Sequence, residues 1–85
     1  MIIISQDKTK IINIENLTVI EIDEENNVRV ELTNNNVWKI GSYSTKERAE
    51  KIMQEIIFNY TREGISEKVQ NKIYAMPKVY YMPEK

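Results

Sequence analysis

Eighty-five residues with a formal charge of −1 and with neither cysteine nor histidine make one small domain that lacks the usual reactive side chains. Disulfides, thiolate nucleophiles and thiol-held metals are excluded, as are the commonest general base and the commonest zinc ligand. Near-neutral charge removes any general electrostatic claim on DNA, RNA or an anionic membrane, and a domain this size buries only about 60–65% of its unfolded surface, so its core is thin and a second subunit would help cover it.

In chain order, Ile2 to Ser5 reads as a short strand, Gln6 to Thr9 as a polar turn and Lys10 to Ile14 as a second apolar run. The segment MIIISQDK has no basic region before its four apolar residues, which predicts neither a signal peptide nor a spanning segment and points to a cytoplasmic protein. Leu17 to Asp23 is the next strand, with its alternation blurred by adjacent Val19 and Ile20. The run DEENN is a turn, because asparagine tolerates left-handed backbone. Val28 to Thr33 alternates cleanly, with Val28, Val30 and Leu32 on one face and Arg29, Glu31 and Thr33 on the other. Three asparagines then turn the chain into a strand over Val37 to Tyr43. These segments predict an antiparallel meander.

A helix is expected over residues 45 to 62. Ser44 is placed to cap it, with Glu47 reaching back to complete a capping box. Ala49, Ile52, Met53, Ile56 and Tyr60 recur at three and four, Ile57 widens the stripe, and Gly64 suits a C-terminal cap. Ile65, Val69 and Ile73 repeat at four, predicting a short second helix up to Pro77. The closing KVYYMPEK has its strand-like core between Pro77 and Pro83 and reads as an edge strand or as an arm crossing to another subunit. The expected fold class is α+β: an antiparallel meander of four to five strands packed on one long C-terminal helix, with a short second helix and an extended tail. The division is residues 1–43 sheet, 44–75 helical part and 76–85 tail, all in a single domain.

No glycine-rich phosphate loop is present, since Gly41 and Gly64 are the only glycines. The carboxylates sit mostly in turns or on a wet strand face, where they serve solubility. A non-catalytic protein without cofactor or metal is therefore expected. Candidate ligand contacts come from local chemistry. Lys39 and Tyr43 share a strand face beside the helix start, where free amides favour an anion. Trp38 alternates with Ile40 and suits the dry face or a stacking surface. Arg48 adds a cation on the first helical turn. Arg62 complements the helix C-terminus, or clamps a phosphate beside Tyr60. Tyr74, Tyr80 and Tyr81 cluster with Met76 and Met82 near the chain's end and suit either an interface or internal packing.

Fourteen isoleucines and nine asparagines are the residue usage of AT-rich codons. The stretches MIIISQDKTKIINIENL and GSYSTKERAEKIMQEI resemble small proteins encoded by phages and prophages of low-GC Gram-positive bacteria, over roughly residues 1 to 62 and more weakly in YYMPEK. More distantly, the chain is similar to the phage sponges that defeat the Thoeris defence system. That resemblance implies an N-terminal antiparallel sheet followed by helices, oligomers, and a cyclic ADP-ribose signal held between subunits. Its ligand residues do not align with this chain, so Trp38, Lys39, Tyr43, Arg48, Tyr60 and Arg62 rest on local chemistry alone. Two readings follow. One is a homo-oligomeric accessory protein that sequesters a nucleotide immune signal in the host cytoplasm. The other is a protein-interaction module, an inhibitor of a host protein or a structural accessory.

Overall fold

The computed structural model describes residues 1–61, 66–69, 72–75 and 79–85, with 66–69 and 72–75 described by their backbone. The protein is α+β. Strands β1 (Ile2–Ile4), β2 (Ile11–Asn13), β3 (Leu17–Ile22), β4 (Asn27–Leu32) and β5 (Val37–Ser42) precede helix α1 (Lys46–Thr61), and β6 (Ser66–Val69), β7 (Lys72–Ala75) and β8 (Val79–Tyr81) follow it. A 3-10 turn at Ile14–Asn16 joins β2 to β3.

The expected meander is divided between two sheets. Strands β3, β4 and β5 form one antiparallel sheet in sequence order. In the other, β1 is central, antiparallel to β2 and parallel to β8. The tail is thus an edge strand within its own chain. The junction between the sheets is a main-chain bond from Gln6 N to Ile40 O, 2.8 Å.

Turn chemistry explains why the strands stop where they do. Asn26 and Asn35 have φ of 64° and 71°, the left-handed backbone their side chains tolerate. Asp23 Oδ1 accepts from the Glu25 and Asn27 amides at 2.9 and 3.0 Å, and Asn34 Oδ1 accepts from the Asn36 amide at 3.1 Å. In the first turn Lys8 has φ 63°, and Asp7 Oδ1 accepts from the Ser5 hydroxyl, the Thr9 amide and the Thr9 hydroxyl.

A register shift between Leu17 and Val19 resolves the blurred pattern of β3. The bulge leaves Ile20 and Ile22 opposite Val30 and Val28 on the core side. Val28, Val30 and Ile40 join Ile3 and Ile12 of the other sheet and Ala49, Ile52 and Ile56 of the helix in one core cluster. The helix stripe is narrower than its sequence suggests: Met53 is half-buried, while Ile57 and Tyr60 are exposed.

Three expectations are corrected. The cap is Thr45, whose hydroxyl accepts from the Arg48 amide at 3.1 Å, not Ser44 with Glu47. The reason lies upstream: Tyr43 N still bonds Asn26 O at 3.2 Å, so the ladder holds the chain extended for one residue longer. The second helix over Ile65–Tyr74 is instead an antiparallel hairpin, with Ser66 opposite Ala75 and Val69 opposite Lys72. Three apolar residues in ten are too few to stabilise a helix. The long helix is consequently central in the chain rather than C-terminal. Among the described residues no helix is long and apolar enough to cross a membrane.

Both turn aspartates titrate low. Hydrogen bonds from the Thr9 hydroxyl, the Thr9 amide and the Ser5 hydroxyl hold Asp7 well below the usual carboxylate range. Bonds from the Asn27 side chain and amide lower Asp23. A carboxylate lowered by folding stabilises the native state above its unfolded pKa, and that contribution is lost as pH falls through the folded value. Stability is therefore expected to drop between about pH 5 and pH 2, with a shallower slope in Asp7→Asn. Urea melts across that range check it; an unchanged slope contradicts the assignment.

Candidate functional site

The corner where β5 hands over to α1 is filled by the chain's own closing segment. Met82 N donates to Ile4 O at 3.0 Å, continuing the β1–β8 ladder by one residue. The Tyr43 hydroxyl then donates to Pro83 O at 2.8 Å. Gln6 Nε2 donates to Glu84 O at 2.8 Å, and Arg48 Nε donates to Lys85 O at 2.9 Å. Three side chains from three parts of the chain thus hold main-chain oxygens of three successive residues. Lys8 Nζ adds an exposed ion pair with Glu84 at 3.9 Å, which contributes little.

Gln6 does the most here. Its Oε1 accepts from Ser42 N at 2.8 Å, and its Nε2 donates to Ser42 O at 3.0 Å as well as to Glu84 O. The side-chain amide acts as a strand partner for Ser42 and passes the ladder on to the closing segment. Behind it, the Tyr80 hydroxyl donates to Glu55 Oε2 at 2.6 Å, tying β8 to the helix. Burial, then the Glu55 bond and charge, push the Tyr80 phenol well up. Burial pushes Tyr43 up to about 12, with Arg48 opposing and Glu55 adding to the rise. Both phenols stay protonated near neutrality and serve as fixed donors. Tyr43→Phe is expected to cost about 0.5–1.5 kcal/mol and to speed amide exchange at Met82. Exchange unchanged from the parent would show that the hydroxyl does not hold the segment.

The candidate ligand residues separate. Tyr43 is buried and Arg48 half-buried, each with a polar atom engaged by the closing segment. Trp38 is half-buried against the core cluster. Lys39 is exposed, in the outer row Glu21–Arg29–Lys39, at the edge of an open hollow of about 230 Å³ that Gln6, Asp7, Gly41 and Ser42 also line. Tyr60 is exposed on the last turn of α1. Arg62 lies outside the described residues. The structure therefore brings Tyr43 and Arg48 together, around main-chain oxygens. Among the described residues no three acidic, histidine or cysteine side chains form a metal-holding group.

A second feature lies on the far side of the β2–β1–β8 sheet. Its register places Ile11, Ile4 and Tyr81 in one row and Asn13, Ile2 and Val79 in the next. Ile3, Ile12 and Tyr80 face the core, so these six face away from it. Ile11, Val79 and Tyr81 are exposed large hydrophobic residues, Ile2 and Ile4 are half-buried, and none of the six carries a charge. Sequence reasoning flagged Tyr81 but missed Ile11, because only the pairing of three distant segments makes a surface of them.

No family model matches the chain, and no curated protein or solved structure matches it.

Proposed function

We propose that the protein is a non-catalytic accessory protein that acts in a host cytoplasm by binding a protein partner through the outer face of the β2–β1–β8 sheet. The observation that supports this is the uncharged apolar surface of Ile2, Ile4, Ile11, Val79 and Tyr81. A domain with so thin a core gains stability by turning such residues inward, and contiguous apolar surface left outside is characteristic of interaction sites. The phage and prophage resemblance supplies the setting, a small protein made in a bacterial cell.

Sequestration of a cyclic nucleotide is the second reading. It keeps Lys39 at an open hollow of about 230 Å³, below the roughly 300 Å³ at which ligand pockets begin, so a second subunit would have to enclose the ligand. Tyr43 and Arg48 serve it less well, because Pro83 and Lys85 already accept from them.

Calorimetry with linear and cyclic ADP-ribose and with cyclic dinucleotides separates the readings when paired with light scattering and capture from host extract. The interaction reading expects no nucleotide heat, and a partner, self or foreign, that is lost in Ile11→Lys. Nucleotide heat that survives Ile11→Lys, with no protein partner, would establish the second reading in its place.

A further inference from the structure

We propose that a second copy of this chain covers the outer face of the β2–β1–β8 sheet, in a two-fold dimer of sheets packed face to face. This rests on the interaction reading and names its partner.

The register makes the face self-complementary. Let the two-fold axis lie between the sheets and run parallel to the strands, the aligned arrangement sheets favour. The axis reverses strand order and keeps rows level. Ile11 of one copy then lies over Tyr81 of the other, and Ile4 lies over Ile4. An aliphatic chain meets an aromatic ring twice, by symmetry. In the neighbouring row Val79 meets Asn13, whose Oδ1 already accepts from Glu15 N at 3.1 Å. Because none of the six positions is charged, apposing two copies buries no ion and places no like charges together. A charged foreign partner finds nothing on this face to pair with.

The area sets the strength. Ile11, Tyr81 and Val79 are 73, 66 and 49% exposed. Taking about 150–250 Å² for a tyrosine and roughly half that for a branched aliphatic, they present on the order of 300 Å² per copy with the half-buried Ile2 and Ile4. A standard interface takes about 800 Å² per partner, centre and rim together. The face is therefore the centre of a small interface, below the roughly 1,000 Å² in total that stable pairs bury, and a weak, concentration-dependent dimer is expected.

The test is a charge swap read by light scattering at high micromolar concentration. The parent is expected at twice the chain mass. I11K and Y81E are each expected at the single-chain mass, with dissociation constants at least tenfold weaker. The double variant I11K/Y81E is expected to regain the dimer, because each introduced ammonium lies over the partner's introduced carboxylate. Within one chain those positions are also only about 9.6 Å apart, so the contact between copies is read from an equimolar mixture of I11K and Y81E chains, which is expected to form the mixed dimer that neither variant forms alone. A second measurement avoids charge. The chain has no cysteine, so any cross-link in Ile4→Cys joins two copies; a bismaleimide spanning about 10 Å, the sheet spacing, is expected to link it and to leave the exposed Val37→Cys unlinked. A monomeric parent, single variants that remain dimeric, or a double variant no better than either single one overturns the proposal. A monomeric parent that still captures a foreign protein through Ile11 overturns the second copy alone and leaves the interaction reading standing.

Discussion

Ile56→Ala is expected to lower the unfolding free energy by about 2–5 kcal/mol, whereas Ile57→Ala, one residue on, stays within about 0.5 kcal/mol. The side chains are chemically identical, and the substitution brings the same gain in helix propensity. Only the face differs. Ile56 is in the core cluster with Ile52 and Ala49, while Ile57 is among the exposed large hydrophobics. Truncating Ile56 loses its transfer energy and leaves a cavity between the helix and the β-strands. The thin core worsens this, because few neighbours can move in without opening another gap. Glu50→Ala serves as a polar control. Its ion pair with Lys46 is exposed at 3.9 Å and contributes little. Urea melts with unchanged slope give all three values. Equal losses for Ile56 and Ile57 would show that α1 presents another face to the core.

That neighbouring pair also shows where the sequence is legible. Periodicity located α1 to within a residue at each end, and alternation located β4, because in both the signal lies within one turn or one strand of the residue concerned. Ile57 fits the spacing yet lies outside, because a stripe drawn from spacing has no width and only the packing partners set it. The hairpin β6–β7 carries a helical pattern for a related reason: Ile65, Val69 and Ile73 fit a period of four over too short a window to outweigh pairing. The corner was beyond local reasoning altogether. Local chemistry offers Tyr43 and Arg48 to an anionic ligand, whereas in the structure a donor on each is taken up by main-chain oxygens of the closing segment. Gln6 has only the local signature of a turn residue, since its partners lie 36 and 78 positions away. The outer face of the β2–β1–β8 sheet had the same invisibility, because Ile11 and Tyr81 become neighbours across Ile4 only after a parallel pairing that joins the two ends of the described chain.

Gly41→Ala is expected to cost about 1–3 kcal/mol and to release the closing segment. A Cβ at this position would stand 2.7 Å from Tyr43 Cε2, 2.8 Å from its hydroxyl oxygen and 3.0 Å from Met82 Cε. The methionine tip can turn aside. The tyrosine cannot do so freely, because it is buried and its hydroxyl is held by Pro83. Gly41 does not have left-handed backbone, so the requirement is for space, and β-propensity taken alone would favour alanine. To admit the methyl group the ring must move, and moving it breaks the bond to Pro83 and uncovers Met82. Tyr43→Ala removes the obstacle, so in that background Gly41→Ala should become neutral or slightly stabilising, and the double-mutant cycle should show a coupling of about 0.5–3 kcal/mol. Amide exchange at Met82 reports the release directly. A fully additive cycle would mean that the glycine is needed for something other than the ring lying against it.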